Sequence, residues 1–128
     1  MHVVTVEEMR RIDEATINSF VPGLTLMERA GKGIFHRIAT DFDPLKELCV
    51  SIFLGRGNNA GDGLVAARLL AEGGAKVILN YLHEPKDLSP DAFKNYARLK
   101  KLRKFKRLEE NFLYLADWEQ KVIKALGA

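Results

Sequence analysis

One cysteine in 128 residues cannot close an internal disulfide. Cys49 stands inside the apolar run CVSIFL, which predicts a small buried core residue rather than a reactive thiol. A chain without disulfides fits a reducing cytosol. Long hydrophobic runs are missing too: the run at 49–54 contains Ser51 and is too short to span a bilayer. The N-terminal MHVVTVEEMRR reaches acidic residues within a few positions and has no secretory apolar core. There is no internal repeat, no low-complexity segment and no linker. What remains has the length of one ordinary domain. At 47% hydrophobic and 29% charged residues, it has the composition of a globular chain with a core.

The net charge is +3, and the excess is local: KKLRKFKR at 100–107 carries six basic residues. Such a run suits nucleic acid or an acidic partner. It also suits a solvated helix end, where cations meet the negative pole of the macrodipole. The second reading is preferred, because no aromatic RNA-binding signature and no zinc-finger spacing accompany it. No nucleic-acid partner is expected.

Thr5 and Glu8 form a capping box that opens a helix over 6–19. Pro22 and Gly23 break it. Thr25 and Glu28 form a second box, opening a helix to residue 39 with Leu26, Ala30, Ile34 and Ile38 as its apolar stripe. Gly31 and Gly33 on that helix each cost about 1 kcal/mol against alanine, which suggests close packing or a nearby ligand. Residues 49–54 read as a buried parallel strand, 64–71 as a helix closed by Gly73 and Gly74, and 76–82 as a second strand. This is a βαβ unit. Ser89, Pro90 and Asp91 start another helix to residue 102, with Phe93, Tyr96, Ala97 and Leu99 or Lys100 around its apolar side. A short third strand is expected over 105–108. A last amphipathic stretch includes Phe112, Leu115, Val122 and Leu126.

The loop over 55–63 lies beyond the carboxyl end of the first strand, where α/β folds bind ligands. Its glycines allow unusual backbone angles and close ligand approach, and the helix after it offers unpaired N–H groups to an anion. Gly55, Gly57 and Ala60 fit a G-x-G-x-x-A dinucleotide pattern, for which Glu84 is a late candidate acid. A Walker loop is excluded, since no Gly-Lys-Ser/Thr follows. Asn58 and Asn59 carry neutral amides that can hold phosphate, sugar hydroxyls or a weakly hydrated cation, or that simply tolerate turn angles. Asp62 is the loop's one carboxylate. A helix N-terminus favours its ionised form, so it reads as an anchor rather than a proton donor. His36 and His83 have no catalytic partner in the pattern.

The whole string GRGNNAGDGLVAARLL is far more specific, and it resembles the signature of the YjeF N-terminal domain family, whose enzymatic members are NAD(P)H-hydrate epimerases. VTVEEMRRIDEATI and GLTLMERAGKGIF are similar to that family's two N-terminal helices, and KDLSPDAFKNYARLKKL to its segment after the second strand. The resemblance covers residues 3–103. It implies a Rossmann-like three-layer αβα fold with a mainly parallel sheet and two N-terminal helices. Residues 1–128 would be the N-terminal portion of such a domain, with two or three strands visible. It also implies epimerisation of hydrated NADH or NADPH. On that basis Asn58, Asn59, Ala60, Gly61 and Asp62 would contact the hydrated dinucleotide, and Asn59 would also coordinate a potassium ion. The family has glycine where this chain has Ala60, adding one methyl at the turn.

The family's later "DALLGTGL"-like and "DIPSG"-like segments, which would supply a second potassium ligand and the proton-transfer residue, have no counterpart here. No catalytic residue is therefore assigned. The expectation is a shortened or split domain that self-associates as a homo-oligomer through its sheet edge or last helix and has little epimerase activity alone. The alternative is a non-catalytic nucleotide- or RNA-binding scaffold of the same fold. A generic dinucleotide oxidoreductase ranks last, because no catalytic set accompanies the loop.

Overall fold

The computed structural model describes residues 22–102 and 107–115, together with 124, 126 and 127. The helix expected over 6–19 and most of the last amphipathic stretch lie outside the described residues. In chain order the elements are α1 (Gly23–Asp41), β1 (Cys49–Leu54), α2 (Asn58–Glu72), β2 (Lys76–Tyr81), α3 (Pro90–Leu102) and β3 (Leu108–Phe112). Short 3₁₀ turns at Leu45–Glu47 and Pro85–Asp87 precede β1 and α3.

The three strands form one sheet in the order β1-β2-β3, with both pairings parallel. Val50 pairs with Val77 and Val77 with Leu108, while Leu54 pairs with Tyr81 and Tyr81 with Phe112. This is the α/β, mainly parallel architecture expected from the sequence. Because side chains alternate along a strand, Val50, Ile52, Leu54, Val77, Leu79 and Tyr81 share one face. They pack with Ile34 and Ile38 of α1, Leu64 and Leu70 of α2, and Leu99 of α3 in one apolar cluster. All the described helices thus cover the same face.

The opposite face carries a polar ladder instead. Asn80 is fully buried; its Nδ2 donates to Ser51 Oγ at 2.8 Å and its Oδ1 accepts from Asn111 Nδ2 at 3.0 Å. A buried carboxamide bonded on both sides ties the three strands together, since slipping one strand would strand its polar atoms. A three-layer arrangement has room for its other layer on this face. Among the described residues no helix is long and apolar enough to cross a membrane.

Several boundaries differ from expectation for identifiable reasons. The α1 helix starts at Gly23 with Pro22 as N-cap and no side-chain cap. The Thr25–Glu28 box is not used, because Glu28 instead accepts from Arg68 of α2 with both carboxylate oxygens, at 2.5 and 2.8 Å. The stripe Leu26, Ala30, Ile34 and Ile38 is buried as predicted. Gly31 packs against α2 so closely that an added Cβ would overlap Val65, whereas nothing lies within 4 Å at Gly33. Cys49 is exposed: it begins a strand that lies at the sheet's edge among the described residues, and it points, like Ser51, away from the described helices. Gly73 and Gly74 close α2 in a Schellman arrangement, with Ala75 N–H donating to Leu70 O and Gly74 N–H to Ala71 O. On α3 the buried residues are Ala92, Asn95 and Leu99; Phe93 and Ala97 are exposed. The third strand is Leu108–Phe112, later than the 105–108 expected.

Candidate functional site

At the carboxyl end of β1 the chain turns in three residues, 55–57, and enters α2 at Asn58. The sequence reads this region as a longer loop because asparagine and glycine dominate it. The structure folds residues 58–63 into the first two helical turns. Only Gly57 needs a glycine for its backbone, at φ 84° and ψ −163°, a region closed to residues with a Cβ. Gly61 and Gly63 serve packing instead. A Cβ on Gly61 would run into the Met27 thioether of α1 and lie 3.0 Å from Ala92 Cα of α3. One on Gly63 would meet Leu54 Cδ2 of β1 at 3.2 Å. The two glycines let α1, α3 and β1 converge on the start of α2.

The five predicted binding residues divide by exposure. Asn58 is exposed and Asn59 half-buried on the rim, while Ala60, Gly61 and Asp62 are buried. The extra methyl of Ala60 joins the main apolar cluster. Asp62, at 1% exposure, lies where α1 crosses α2: its backbone carbonyl would be 3.0 Å from a Cβ on Gly31.

Among the described residues no side chain caps α2. The first N–H groups of a helix have no intrahelical acceptor and carry the positive end of the macrodipole, so the rim at 57–60 favours an anion. Arg56 is exposed in the same turn, one residue before Gly57. The carboxamide of Asn59 makes no hydrogen bond among the described residues.

Sequence reasoning missed one neighbour of this rim. Ser89, recognised as the N-cap of α3, donates from Oγ to Asn58 Oδ1 at 2.7 Å, which brings two helix starts together. The residues stand 31 apart in sequence, and no local pattern reports such a contact. Glu84, the late dinucleotide acid, lies past β2 and pairs with Lys86 at 3.0 Å. The Glu84 carboxylate, through this hydrogen bond and then its charge, holds Lys86 above the usual lysine range, with Asp87 adding to it. Lys100, from the basic run, pairs with buried Glu110 at 3.2 Å, and Tyr81 Oη donates to the same carboxylate at 2.8 Å. His36 is exposed and stacks at a tilt on Phe35.

Comparison with known proteins adds to this geometry. The family model described as YjeF-related protein N-terminus matches residues 23–125. The chain is 46% identical over 89 residues to the NAD(P)H-hydrate epimerase of Lentilactobacillus buchneri, covering 69% of this chain and 41% of that protein. It is 39% identical over 106 residues to the NAD(P)H-hydrate epimerase of Rhodobacter capsulatus, covering 78% and 50%. Against the bifunctional NAD(P)H-hydrate repair enzyme Nnr of Salinibacter ruber it is 41% identical over 102 residues, covering 79% and 19%. Among solved structures, the crystal structure of yeast ynu0, YNL200c, superposes with a TM-score of 0.60 at 25% identity, covering 92% of this chain and 50% of that one. The chain thus spans half or less of the length of these relatives.

Proposed function

The chain belongs to the YjeF-related N-terminal family, and from that premise we propose that it is an NAD(P)H-hydrate epimerase-type domain. Its substrate would be hydrated NADH or NADPH, whose R and S forms it would help to interconvert. The names of its relatives support this reading. The observation that carries it is the uncapped start of α2, with Asn58 and Asn59 on its rim, at the carboxyl end of β1.

In this reading the N–H groups at 58–60 and the Arg56 guanidinium receive the dinucleotide's phosphates. The Asn58 carboxamide adds its N–H donors toward the same phosphates, the Asn59 carboxamide reaches the hydroxyl groups, and Gly61 and Asp62 brace the turn from beneath. Proton transfer is assigned to no residue. The donor set on the rim also fits a potassium ion, since the neutral oxygen of Asn59 is half-exposed and engaged in no hydrogen bond among the described residues. Hard cations take such oxygens. Asn59 would hold the ion, which when bound supplies positive charge beside the phosphates.

A homo-oligomer is part of the same proposal. The outer edge of β1 has no strand beside it among the described residues, and CVSIFL carries none of the charges or prolines that guard natural edges. A strictly monomeric species in light scattering at high concentration would contradict this part. A cytosolic setting is proposed from the lone cysteine.

The functional test gives the chain purified R hydrate of NADPH and follows the S form with an S-specific dehydratase. The expected result is saturable hydrate binding that protects residues 58–62. Interconversion well above the protein-free rate would overturn the expectation of low activity for this chain alone. Absence of hydrate binding would overturn the domain assignment.

A further inference from the structure

Ser89 acts in two directions. On its own helix Oγ accepts from Ala92 N–H at 3.4 Å, the usual N-cap geometry. Across the gap between the two helix starts the same Oγ lies 2.7 Å from Asn58 Oδ1. An amide oxygen carries no hydrogen, so the serine hydroxyl must donate. The distance is that of an O–H···O bond, shorter than the usual N–H···O contact a flipped amide would make. One hydroxyl donating once and accepting once satisfies both partners.

We infer that Ser89 is a positioning residue that turns the Asn58 carboxamide so that its oxygen faces α3 and its NH2 group faces a bound dinucleotide. This rests on the nucleotide-binding reading of the β1–α2 turn. With Oδ1 held by Ser89, Asn58 presents two N–H donors. They join the backbone N–H groups of the first turn of α2 as donors on the rim. Phosphate oxygens only accept, so these donors match them. The reversed carboxamide would place an acceptor against the phosphate, where it repels. Exposed asparagine amides otherwise sample both faces, so the hydroxyl removes the wrong one before the ligand arrives.

The test compares the full chain with its Ser89→Gly and Ser89→Thr variants, titrating each with NADP+ by calorimetry. The side-chain NH2 signals of Asn58 are followed by NMR in the absence of ligand. Glycine serves at an N-cap nearly as well as serine but offers no hydroxyl; threonine keeps it. Ser89→Gly should weaken NADP+ binding about 3- to 10-fold, the worth of one hydrogen bond, and shift the Asn58 NH2 pair, whereas Ser89→Thr should restore both. A capping role alone would move the melting temperature and leave affinity in place. Unchanged affinity in Ser89→Gly, with wild-type binding intact, would overturn the inference, as would wild-type NH2 protons already protected by a bond to Ser89. A wild-type chain that takes up no NADP+ would instead overturn the parent reading, a result that needs no variant to recognise.

Discussion

Among the described residues two strand-to-helix connections lie at the same end of the sheet, and they are built on opposite principles. Between β2 and α3 the chain spends eight residues, 82–89, including a 3₁₀ turn. It then starts its helix in the ordinary way: Ser89 as cap, proline first, Asp91 in the first turn. Between β1 and α2 it spends three residues and starts its helix with no acid in the first turn and, among the described residues, no side-chain cap. The first connection gives one of its helix's leading N–H groups a serine acceptor, and the second offers none of its own among the described residues. An uncapped start costs stability, and it persists here because three glycines and tight packing hold it. That contrast singles out the β1–α2 turn as the binding end and the β2–α3 turn as its support.

Substitutions can break the contrast, beginning where packing is tightest. Gly61→Val would drive a branched side chain into Met27 and the Ala92 backbone. Overpacking of this kind costs about 1–3 kcal/mol or more, read as a lower denaturant midpoint. Gly57→Ala forces a Cβ into a positive-φ conformation and should cost about 1–3 kcal/mol, loosening the turn itself. Ser89→Ala removes the cap that Asn58's helix lacks, at about 1 kcal/mol. Asn58→Ala, by contrast, should leave stability within about 0.5 kcal/mol and weaken nucleotide binding. A large stability loss there would show that Asn58 caps α2 after all.

The smallest effect is electrostatic. Lys76 is held above the usual lysine range by its hydrogen bond to Glu109, then by that carboxylate's charge. A group raised on folding contributes stability below its unfolded value of 10.5, and that stability is lost as pH rises through the folded value. Alkaline denaturation should therefore show a slight additional loss above about pH 10.5 that Lys76→Met removes. Lys76 and Glu109 tie β2 to β3 at 2.9 Å, far from the turn, so nucleotide affinity should not follow it.

Much of this architecture was legible in the residues because its signals are local. The run at 49–54 reads as a strand and is one, with the same limits. The paired glycines at 73 and 74 close α2, and Ser89-Pro90-Asp91 opens α3 where expected. The misreadings at Glu28, Cys49 and residues 58–63 involve partners distant in sequence. Glu28 looks like half of a capping box until Arg68 takes it. Cys49 looks buried until the odd positions of β1 prove to face away from the described helices. Residues 58–63 look like loop because small and polar residues usually make loops. Their glycines are small so that α1, α3 and β1 can reach the helix. At the binding end, the motif named the residues; only the fold separated Asn58 and Asn59 on the rim from Ala60, Gly61 and Asp62 beneath it.

The most direct measurement is a ¹H–¹⁵N NMR titration of the full chain with NADP+. The account predicts that the largest backbone shifts fall at residues 56–60, with a smaller response at Ser89 and none along the basic residues at 100–107. Saturation without movement at 56–60, or shifts centred on the basic run, would contradict it.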